Sequence, residues 1–396
     1  MINGDWSSDV CSSDLEALPT PDTSKWPLLL KNYSNLLCKT SFFTPISSGH
    51  SPMNRPLREH LRYGVLNLDK PANPSSHEIV SWVKQILQVE KTGHSGTLDP
   101  KVTGVLIICL ERATRIAKAQ QNAGKEYVTV LKLFDKVKYN DLENAVKFLT
   151  GRVYQCPPLI SAVAKELRVR TIQKNEIIEF DEEKNMAILR VACEAGTYIR
   201  VLCEHLGLVL GVGGEMAELR RTRTGHITEN TGLNTMYDVL DAKWLLDTKG
   251  DESYMRRVVK PLEWMLTEYK RIVIKDSSVD AVCHGARVLI PGILRFDGNI
   301  KKDEVIVIVT TKGEAVALGI AEMSSDEILK ADHGFAAKVK RVIMDRGTYP
   351  KCWGKGPVGL EKRRMIKQGL LTEKGKANEK TPENWVRKYL EGKLKE

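Results

Sequence analysis

The spacing of apolar and polar residues predicts alternating strands and helices through about residue 268. Residues 63–69 alternate in the manner of a half-buried strand. Ser75 and Glu78 form a capping-box pattern, and apolar residues at helical spacing continue from there to about residue 89. Further elements are predicted as strands at 127–134, 176–180 and 187–194, a helix from about 141 closed by Gly151, and a helix capped by Thr197. This mixture predicts an α+β core.

After residue 268 the pattern changes to short β segments separated by glycine-containing turns. These segments are predicted at 271–274, 287–290, 305–311, 315–320 and 339–344. Such a series is typical of a separate, small β-barrel-like domain, which we place at 269–347. The remainder, 348–396, is rich in lysine and arginine and poor in apolar anchors, so it predicts a loosely ordered basic tail.

The charge of the chain suggests a polyanionic partner. The 396 residues carry a net charge of +10, and a surplus of this kind favours nucleic acid. The longest uncharged apolar run, 102–110, is too short to span a bilayer, and no secretory signal pattern opens the chain. The eight cysteines form no Cys-x-x-Cys pair, so the sequence predicts neither a zinc module nor a disulfide framework, and it favours a reducing compartment. Residues 1–25 resemble no domain and are expected to be artefactual or disordered.

Asp99 is the strongest candidate for a catalytic residue. It lies in the loop 93–100, which contains two glycines and ends in proline. A residue before proline favours an extended backbone, and the glycines permit a ligand to approach closely. A carboxylate held in such a loop can act as a nucleophile or a base. The alternative is an Asx-turn, in which the aspartate binds its own backbone.

Arg200 and two tyrosines are further candidates. Arg200 falls in the first turn of a predicted helix, where the helix dipole disfavours a cation, so pairing with a carboxylate or an RNA phosphate would stabilise it. Tyr127 and Tyr198 stand beside charged residues, as do side chains that stack on unpaired bases. The run 220–223 supplies cations that could neutralise phosphates. A solvated arginine, a buried strand tyrosine and a solvated charge run remain the respective alternatives.

Several short motifs resemble, in chain order, those of TruB-type pseudouridine synthases. They are 68–71 (Leu-Asp-Lys-Pro), 93–100 (Gly-His-Ser-Gly-Thr-Leu-Asp-Pro), 124–127 (Gly-Lys-Glu-Tyr), 155–158 (Gln-Cys-Pro-Pro) and 196–200 (Gly-Thr-Tyr-Ile-Arg). Residues 26–31 and 167–171 are similar to the dyskerin-like branch of that family, and the resemblance extends over about 26–370. It implies a dyskerin-like N-terminal region at 26–62, a mixed-sheet catalytic domain at 63–268 and an RNA-binding PUA domain at 269–347.

The resemblance also implies a function. The branch consists of catalytic subunits of H/ACA small nucleolar ribonucleoproteins, in which a guide RNA selects the uridine of rRNA or snRNA that is isomerised to pseudouridine. The implied partners are the H/ACA guide RNA, the target RNA and the small H/ACA core proteins, with no metal, no other cofactor and no membrane. The implied location is the nucleus and its nucleolus.

By position, the resemblance assigns a role to seven residues. Asp99 matches the catalytic aspartate that bonds covalently to the uridine, and Arg200 matches the arginine that pairs with it. The expected substrate-binding residues are Tyr127, which stacks on the flipped base, Tyr198 in the same pocket, Lys70 of the first motif, His94, which helps base flipping, and the apolar wall Leu219.

Two departures from the family and three other functions stay open at this point. Ala164 stands where the family usually has lysine, so an RNA contact changes there unless Lys165 substitutes, and the short basic tail weakens the prediction of nucleolar retention. The alternatives are a stand-alone tRNA pseudouridine synthase, a non-enzymatic RNA-binding scaffold and, more distantly, a two-carboxylate nucleoside hydrolase.

Overall fold

The structure is a computed structural model that describes residues 21–157, 164–354, 357–373 and 375–385. Most of the N-terminal stretch expected to be artefactual or disordered, residues 1–20, lies outside the described residues, as does 158–163. Among the helices that the structure describes, none is long and apolar enough to cross a membrane.

The described strands are numbered in chain order. They are β1 (Leu37–Cys38), β2 (Gly64–Lys70), β3 (Thr92–His94), β4 (Thr103–Leu110), β5 (Lys125–Leu133), β6 (Gly151–Gln155), β7 (Arg168–Asp181), β8 (Met186–Cys193), β9 (Gly214–Thr224), β10 (Ile227–Thr228), β11 (Lys260–Pro261), β12 (Lys270–Ile274), β13 (Val288–Leu289), β14 (Ile293–Phe296), β15 (Val305–Val309), β16 (Ala315–Ala321) and β17 (Phe335–Val342).

The described helices lie between and beside these strands. They are α1 (Leu57–Arg62), α2 (Ser76–Leu87), α3 (Ala117–Gln121), α4 (Tyr139–Phe148), α5 (Ile199–Leu210), α6 (Met236–Lys249), α7 (Ser253–Val258), α8 (Asp276–Cys283), α9 (Ser325–Lys330), α10 (Pro357–Lys367) and α11 (Glu383–Trp385).

A ten-stranded sheet forms the centre of the first part of the chain. Its main path runs β11-β2-β4-β9-β5-β8-β7-β6, with β3 and β10 paired to β4 and β9. The pairs are antiparallel except β4 with β9, which is parallel. Helix α2 begins with the predicted capping box, in which Ser75 and Glu78 bind each other's backbone amides. The α+β prediction, the strand over 63–69 and the first helix are confirmed.

Two central strands were missed because they do not alternate in polarity. β4 is buried along nearly its whole length, so its sequence is a continuous apolar run, as is usual for a strand covered on both faces. β9 contains the arginine run 220–223, which indicates a charged surface when only its composition is considered. These two strands carry the loop and the side chains of the candidate site.

Three local predictions were wrong. Helix α4 ends before Gly151, which instead starts β6 with a positive φ of 107°. Thr197 does not cap α5, since its hydroxyl donates to the Glu194 carbonyl at 2.7 Å and Tyr198 occupies the cap position. The predicted strand at 176–180 is only the end of the much longer β7.

A second, seven-stranded sheet follows, in the order β1-β14-β12-β15-β16-β17-β13. Strand β1 comes from the N-terminal region and pairs with β14, so that region completes the C-terminal sheet. The strand predicted at 339–344 begins earlier, at Phe335, and ends at Val342. This sheet surrounds an apolar core that includes Phe296, Ile306 and Ile308.

The two sheets pack against each other through a shared hydrophobic core. One buried cluster joins Val105 and Ile107 of the first sheet to Val307 and Val309 of the second. Arg112 reinforces the contact, because its guanidinium donates to the carbonyls of residues 343 and 344 at 2.6–3.0 Å. The orientation of the second sheet relative to the first is therefore fixed by packing and by hydrogen bonds.

A buried ion pair connects the N-terminal region to both sheets. Arg55 donates two hydrogen bonds to Glu263, at 2.9 and 2.6 Å, and the two side chains are 5% and 0% exposed. The same carboxylate accepts the backbone amide of Ala315 at 3.0 Å. One carboxylate thus joins three parts of the chain.

We expect Glu263→Gln to lower the free energy of unfolding by about 3–5 kcal/mol, because it leaves the Arg55 guanidinium buried without its counter-charge. Urea titration followed by circular dichroism measures this change. The control is Glu143→Gln, whose partner Lys147 is exposed, and it should change stability by about 1 kcal/mol or less. Equal effects of the two substitutions would contradict the assignment of Glu263 as a junction.

The described part of the basic tail is more ordered than expected. Tyr349 is buried in the core of the second sheet, where its hydroxyl donates to Glu314 at 2.8 Å. Further on, Met365, Leu371 and Trp385 form a small apolar cluster around α10 and α11. The expectation of a loosely ordered tail is therefore wrong for these residues.

Candidate active site

The loop that carries Asp99 is anchored on one side and open on the other. Leu98 is buried, and its amide and carbonyl both pair with the hydroxyl of Ser76, the first residue of α2, at 2.9 and 3.0 Å. Asp99 itself keeps 56% of its side chain exposed. Among the described residues, Arg200 is the hydrogen-bond donor to this carboxylate, so the Asx-turn alternative is not what the structure contains.

Lys70 holds the same loop from below. Its side chain is fully buried, and its amine donates to the carbonyls of Pro71, Pro100 and Val102 at 2.8–2.9 Å. Burial lowers the pKa of Lys70, and the nearby charge of Asp99 opposes that shift. Because all three donors are engaged by the protein, the geometry gives Lys70 a positioning role in place of the substrate contact expected from the sequence.

Arg200 meets Asp99 across the open side of the loop. It is the second residue of α5, and its guanidinium donates to the Asp99 carboxylate. The carboxylate lies near the helix N-terminus, which offsets the unfavourable position of the arginine in the first turn. About a third of the Arg200 side chain is exposed, so the pair is open to solvent.

Tyr127 and Leu219, which the sequence predicts to contact the base, belong to the central sheet. They lie on the adjacent strands β5 and β9, and each packs against the two hydrophobic cores on either side of them. Burial raises the pKa of Tyr127, the positive charge of Arg221 opposes the shift, and the negative charge of Asp99 adds to it. The phenol is therefore protonated at neutral pH and close enough to Asp99 to feel its charge.

Arg221 is the site residue that sequence reasoning missed. It is 1% exposed, although its neighbours in the run 220–223 reach the surface. Arg220 pairs with Asp69 and Glu229, and Arg223 pairs with Glu126, so these two arginines are not free to neutralise phosphates. No sequence signal separates the buried arginine from the paired ones until the strand is recognised.

His94 supports the loop through a backbone contact. Its Nδ1 accepts the Gly96 amide at 3.3 Å, and its ring lies edge-on to that of His77. Burial lowers the pKa of His94, and the neighbouring charges of His77 and Arg221 lower it further. The imidazole is therefore neutral at pH 7 and keeps its acceptor.

Tyr198 lies at the start of α5, where Gln155 fixes the backbone. The Tyr198 amide donates to the Gln155 side-chain oxygen at 2.9 Å, and the Gln155 amide group donates back to the Tyr198 carbonyl at 3.1 Å. Gln155, the first residue of its motif, thus orients the helix that carries Arg200. Ala164 and Lys165 are exposed, and the residues between Pro157 and Ala164 lie outside the described ranges.

A second candidate site is a basic cavity of about 1080 Å³ between the N-terminal region and the two sheets. Within the described ranges, four of its cationic side chains have no carboxylate within ion-pair distance: Arg115, Lys340, Arg341 and Arg346. Burial lowers the pKa of Arg115, and the neighbouring charges of Arg112 and Arg341 lower it further. An anionic ligand would relieve this repulsion.

Family models match consecutive stretches of the chain. The DKCLD (NUC011) domain matches residues 23–80, and the N-terminal domain of the TruB family pseudouridylate synthases matches 84–199. The tRNA pseudouridylate synthase B C-terminal domain matches 200–267, and the PUA domain matches 270–343. The predicted combination of a TruB-type catalytic fold with a C-terminal PUA fold is confirmed.

Proteins of known family are similar along nearly the whole chain. The H/ACA ribonucleoprotein complex subunit cbf5 of Schizosaccharomyces pombe is 57% identical over 93% of this chain and 78% of its own length. The H/ACA ribonucleoprotein complex subunit DKC1 of Homo sapiens is 54% identical over 93% of this chain and 72% of its own.

Solved structures give the same picture. A Cbf5-Nop10-Gar1 complex has a chain 44% identical, with a TM-score of 0.73 over 80% of this chain and 96% of that one. An H/ACA ribonucleoprotein bound to a substrate RNA containing 2'-deoxyuridine has one 42% identical, with a TM-score of 0.73 over 80% and 97%. The similarity in sequence and fold shows that the chain belongs to the TruB-type pseudouridine synthases, among the H/ACA ribonucleoprotein complex subunits.

Proposed function

We propose that this chain is the catalytic subunit of an RNA-guided pseudouridine synthase and that Asp99 is its nucleophile. The proposal is supported by the exposed Asp99 carboxylate and its ion pair with Arg200. Tyr127, which is close enough to Asp99 to feel its charge, and Leu219 pack in the same apolar clusters. The target is a uridine of rRNA or snRNA, selected by base pairing with an H/ACA guide RNA. An intact nucleophile, arginine and tyrosine argue against a non-enzymatic scaffold.

The chemistry is an isomerisation that a carboxylate can catalyse. Asp99 forms a covalent bond to the target nucleotide and the N1–C1′ glycosidic bond breaks. The uracil ring then turns, a C5–C1′ bond forms, the proton on C5 leaves, and N1 gains a proton as the bond to Asp99 is released. Because the reaction is an isomerisation, it needs no oxidant or reductant. The uridine has to leave the base stack for this attack, as in other enzymes that act on a base.

The remaining site residues divide into contacts and supports. Arg200 keeps the carboxylate ionised and oriented, while Tyr127, Tyr198 and Leu219 receive the flipped base by stacking and apolar contact. Lys70 fixes the backbone that follows Asp99. His94 holds the loop backbone before Asp99, so that its part in base flipping is to position this loop.

We assign guide RNA binding to the basic cavity and the sheet around it. The solved relatives were captured with a substrate RNA and with the small proteins Nop10 and Gar1, and we expect this chain to bind partners of the same kinds. The fixed contact between the two sheets then sets the path of the guide from the cavity to Asp99. Lys165, exposed beside Ala164, is placed to supply the RNA contact that the alanine lacks.

Lys340→Gln combined with Arg341→Gln should weaken guide RNA binding and reduce the slope of log K against log salt by roughly 1 per lost cation. Filter binding over a salt series measures the slope. The matched control is Lys136→Gln with Lys138→Gln, which removes the same charge from an exposed loop far along the chain from the cavity. An unchanged slope in the cavity variant would exclude the cavity as the phosphate site.

Sequencing of the RNA that co-purifies with the protein tests the guided function, and imaging of a tagged chain tests its proposed place in the nucleolus. Enrichment of H/ACA-type guide RNAs is the expected result. Enrichment of tRNA without guides would favour a stand-alone tRNA synthase instead.

A further inference from the structure

Arg221 combines complete burial with the absence of an ionic partner. Among the residues that the structure describes, no carboxylate lies within ion-pair distance of its guanidinium, although it is 1% exposed. Burying an unpaired charge is costly, so such a residue is retained where its contacts do something specific. Its guanidinium donates to the Val105 carbonyl at 2.7 Å and to the Gly96 carbonyl at 3.1 Å, and Tyr127 lies opposite it on β5.

Two glycines make room for this arginine. Gly104 on β4 has a φ of +100°, and a Cβ there would lie 2.2 Å from the Arg221 carbonyl oxygen. Gly96 in the catalytic loop has a φ of +148°, and a Cβ there would lie 3.5 Å from the Arg221 guanidinium. A side chain at position 104 would therefore collide with β9, whereas at position 96 the positive φ is what favours glycine, since the distance of 3.5 Å is an ordinary contact.

The Gly96 peptide is held from two sides. Its amide donates to the Nδ1 atom of His94, and its carbonyl accepts from Arg221. Gly96 precedes Asp99 by three residues, and Tyr127 lies directly opposite Arg221 in the pairing of β5 with β9. The guanidinium thus contacts the loop that carries the proposed nucleophile, and Arg221 is the cross-strand partner of Tyr127.

We infer that Arg221 is a positioning residue of the reaction, which fixes the Asp99 loop and the Tyr127 hydroxyl relative to each other. The inference rests on the proposed function for its meaning in catalysis. It requires the planar fork of arginine, because the guanidinium presents its donors in fixed directions, whereas the ammonium group of lysine is a compact charge on a flexible stem. Arg221 acts through these groups and does not itself touch the uridine.

The first test separates chemistry from binding. Arg221→Lys should bind guide RNA within about twofold of the parent protein, since RNA affinity is spread over surface cations, yet its single-turnover rate should fall by about 10²-fold. The control, Arg223→Lys, changes a neighbouring arginine of the same strand that pairs with Glu126, and it should keep the parental rate. A folded Arg221→Lys protein with the parental rate would overturn the inference.

A double-mutant cycle of Arg221 and Tyr127 distinguishes a positioning role from a purely structural one. The rate losses of Arg221→Lys and Tyr127→Phe should be less than additive in the double variant, because both remove the same contact. Fully additive losses would count against it. If the Arg221 variant does not fold, Gly96→Ala takes its place: a rate loss at a parental melting temperature supports the inference, and a parental rate overturns it.

A titration of Tyr127 needs no turnover and so distinguishes failure of this inference from failure of the proposed function. Arg221 lowers the pKa of Tyr127, so Arg221→Met should raise that pKa above its value in the parent protein. The measurement is the ¹³Cζ resonance of labelled tyrosine, assigned by its loss in Tyr127→Phe. An unchanged Tyr127 pKa would refute the contact even if the parent protein modifies RNA normally.

Discussion

Asp99→Asn is expected to abolish pseudouridine formation while leaving the protein folded and bound to its guide RNA. The amide has the shape of the carboxylate but is not a nucleophile, so the single-turnover rate should fall by roughly 10⁴-fold or more. Guide affinity depends on cations elsewhere and should change by no more than about twofold. Assembled particles with a labelled target uridine give both numbers.

The matched control for this experiment is Asp135→Asn, an exposed loop aspartate of the same sheet region. It removes the same charge and should retain the parental rate. If the Asp99→Asn protein turns over at a rate near that of the control, Asp99 is not the nucleophile. If its affinity for guide RNA falls as much as its rate, Asp99 acts in binding instead.

Arg200→Lys is expected to lower the rate by about 10²-fold, although the positive charge is kept. Lysine lacks the planar fork, and its ammonium stays hydrated, so it cannot hold the Asp99 carboxylate in one direction. The loss should appear in kcat more than in KM, because the pair orients the reacting group and does not carry the affinity for RNA.

Arg190→Lys is the corresponding control, since Arg190 is an exposed strand arginine that is not part of the Asp99–Arg200 pair. We expect it to keep both kcat and KM. A kcat for Arg200→Lys close to that of the control, with a raised KM, would mean that Arg200 contacts an RNA phosphate rather than Asp99.

The start of α2 could be predicted from the sequence because the residues that determine it are neighbours in the chain. The Ser75–Glu78 capping box set the start of α2, because both partners lie within one helical turn. The motifs around Asp99, Tyr127 and Arg200 indicated candidates whose catalytic roles stay predictions, and the structure brings the first and last into contact over a separation of 101 residues.

Contacts between residues that are distant in the chain could not be predicted from the sequence. Arg55 and Glu263 are 208 positions apart, and neither differs in sequence from a solvated charge until the N-terminal region is folded over the second sheet. The same holds for Arg221, whose burial between β4 and β5 follows from strand pairing. Lys70 was identified from its motif, but its role changed once its three carbonyl partners were known.

We propose that this protein isomerises a uridine chosen by a guide RNA. Its most direct test is a single-turnover assay with the purified protein, the small core proteins and one guide RNA, on two targets that differ only in their complementarity to the guide. We predict pseudouridine at the guided uridine of the matched target and none in the mismatched target. Equal modification of both targets, or modification of bare tRNA when the guide is omitted, would contradict the claim.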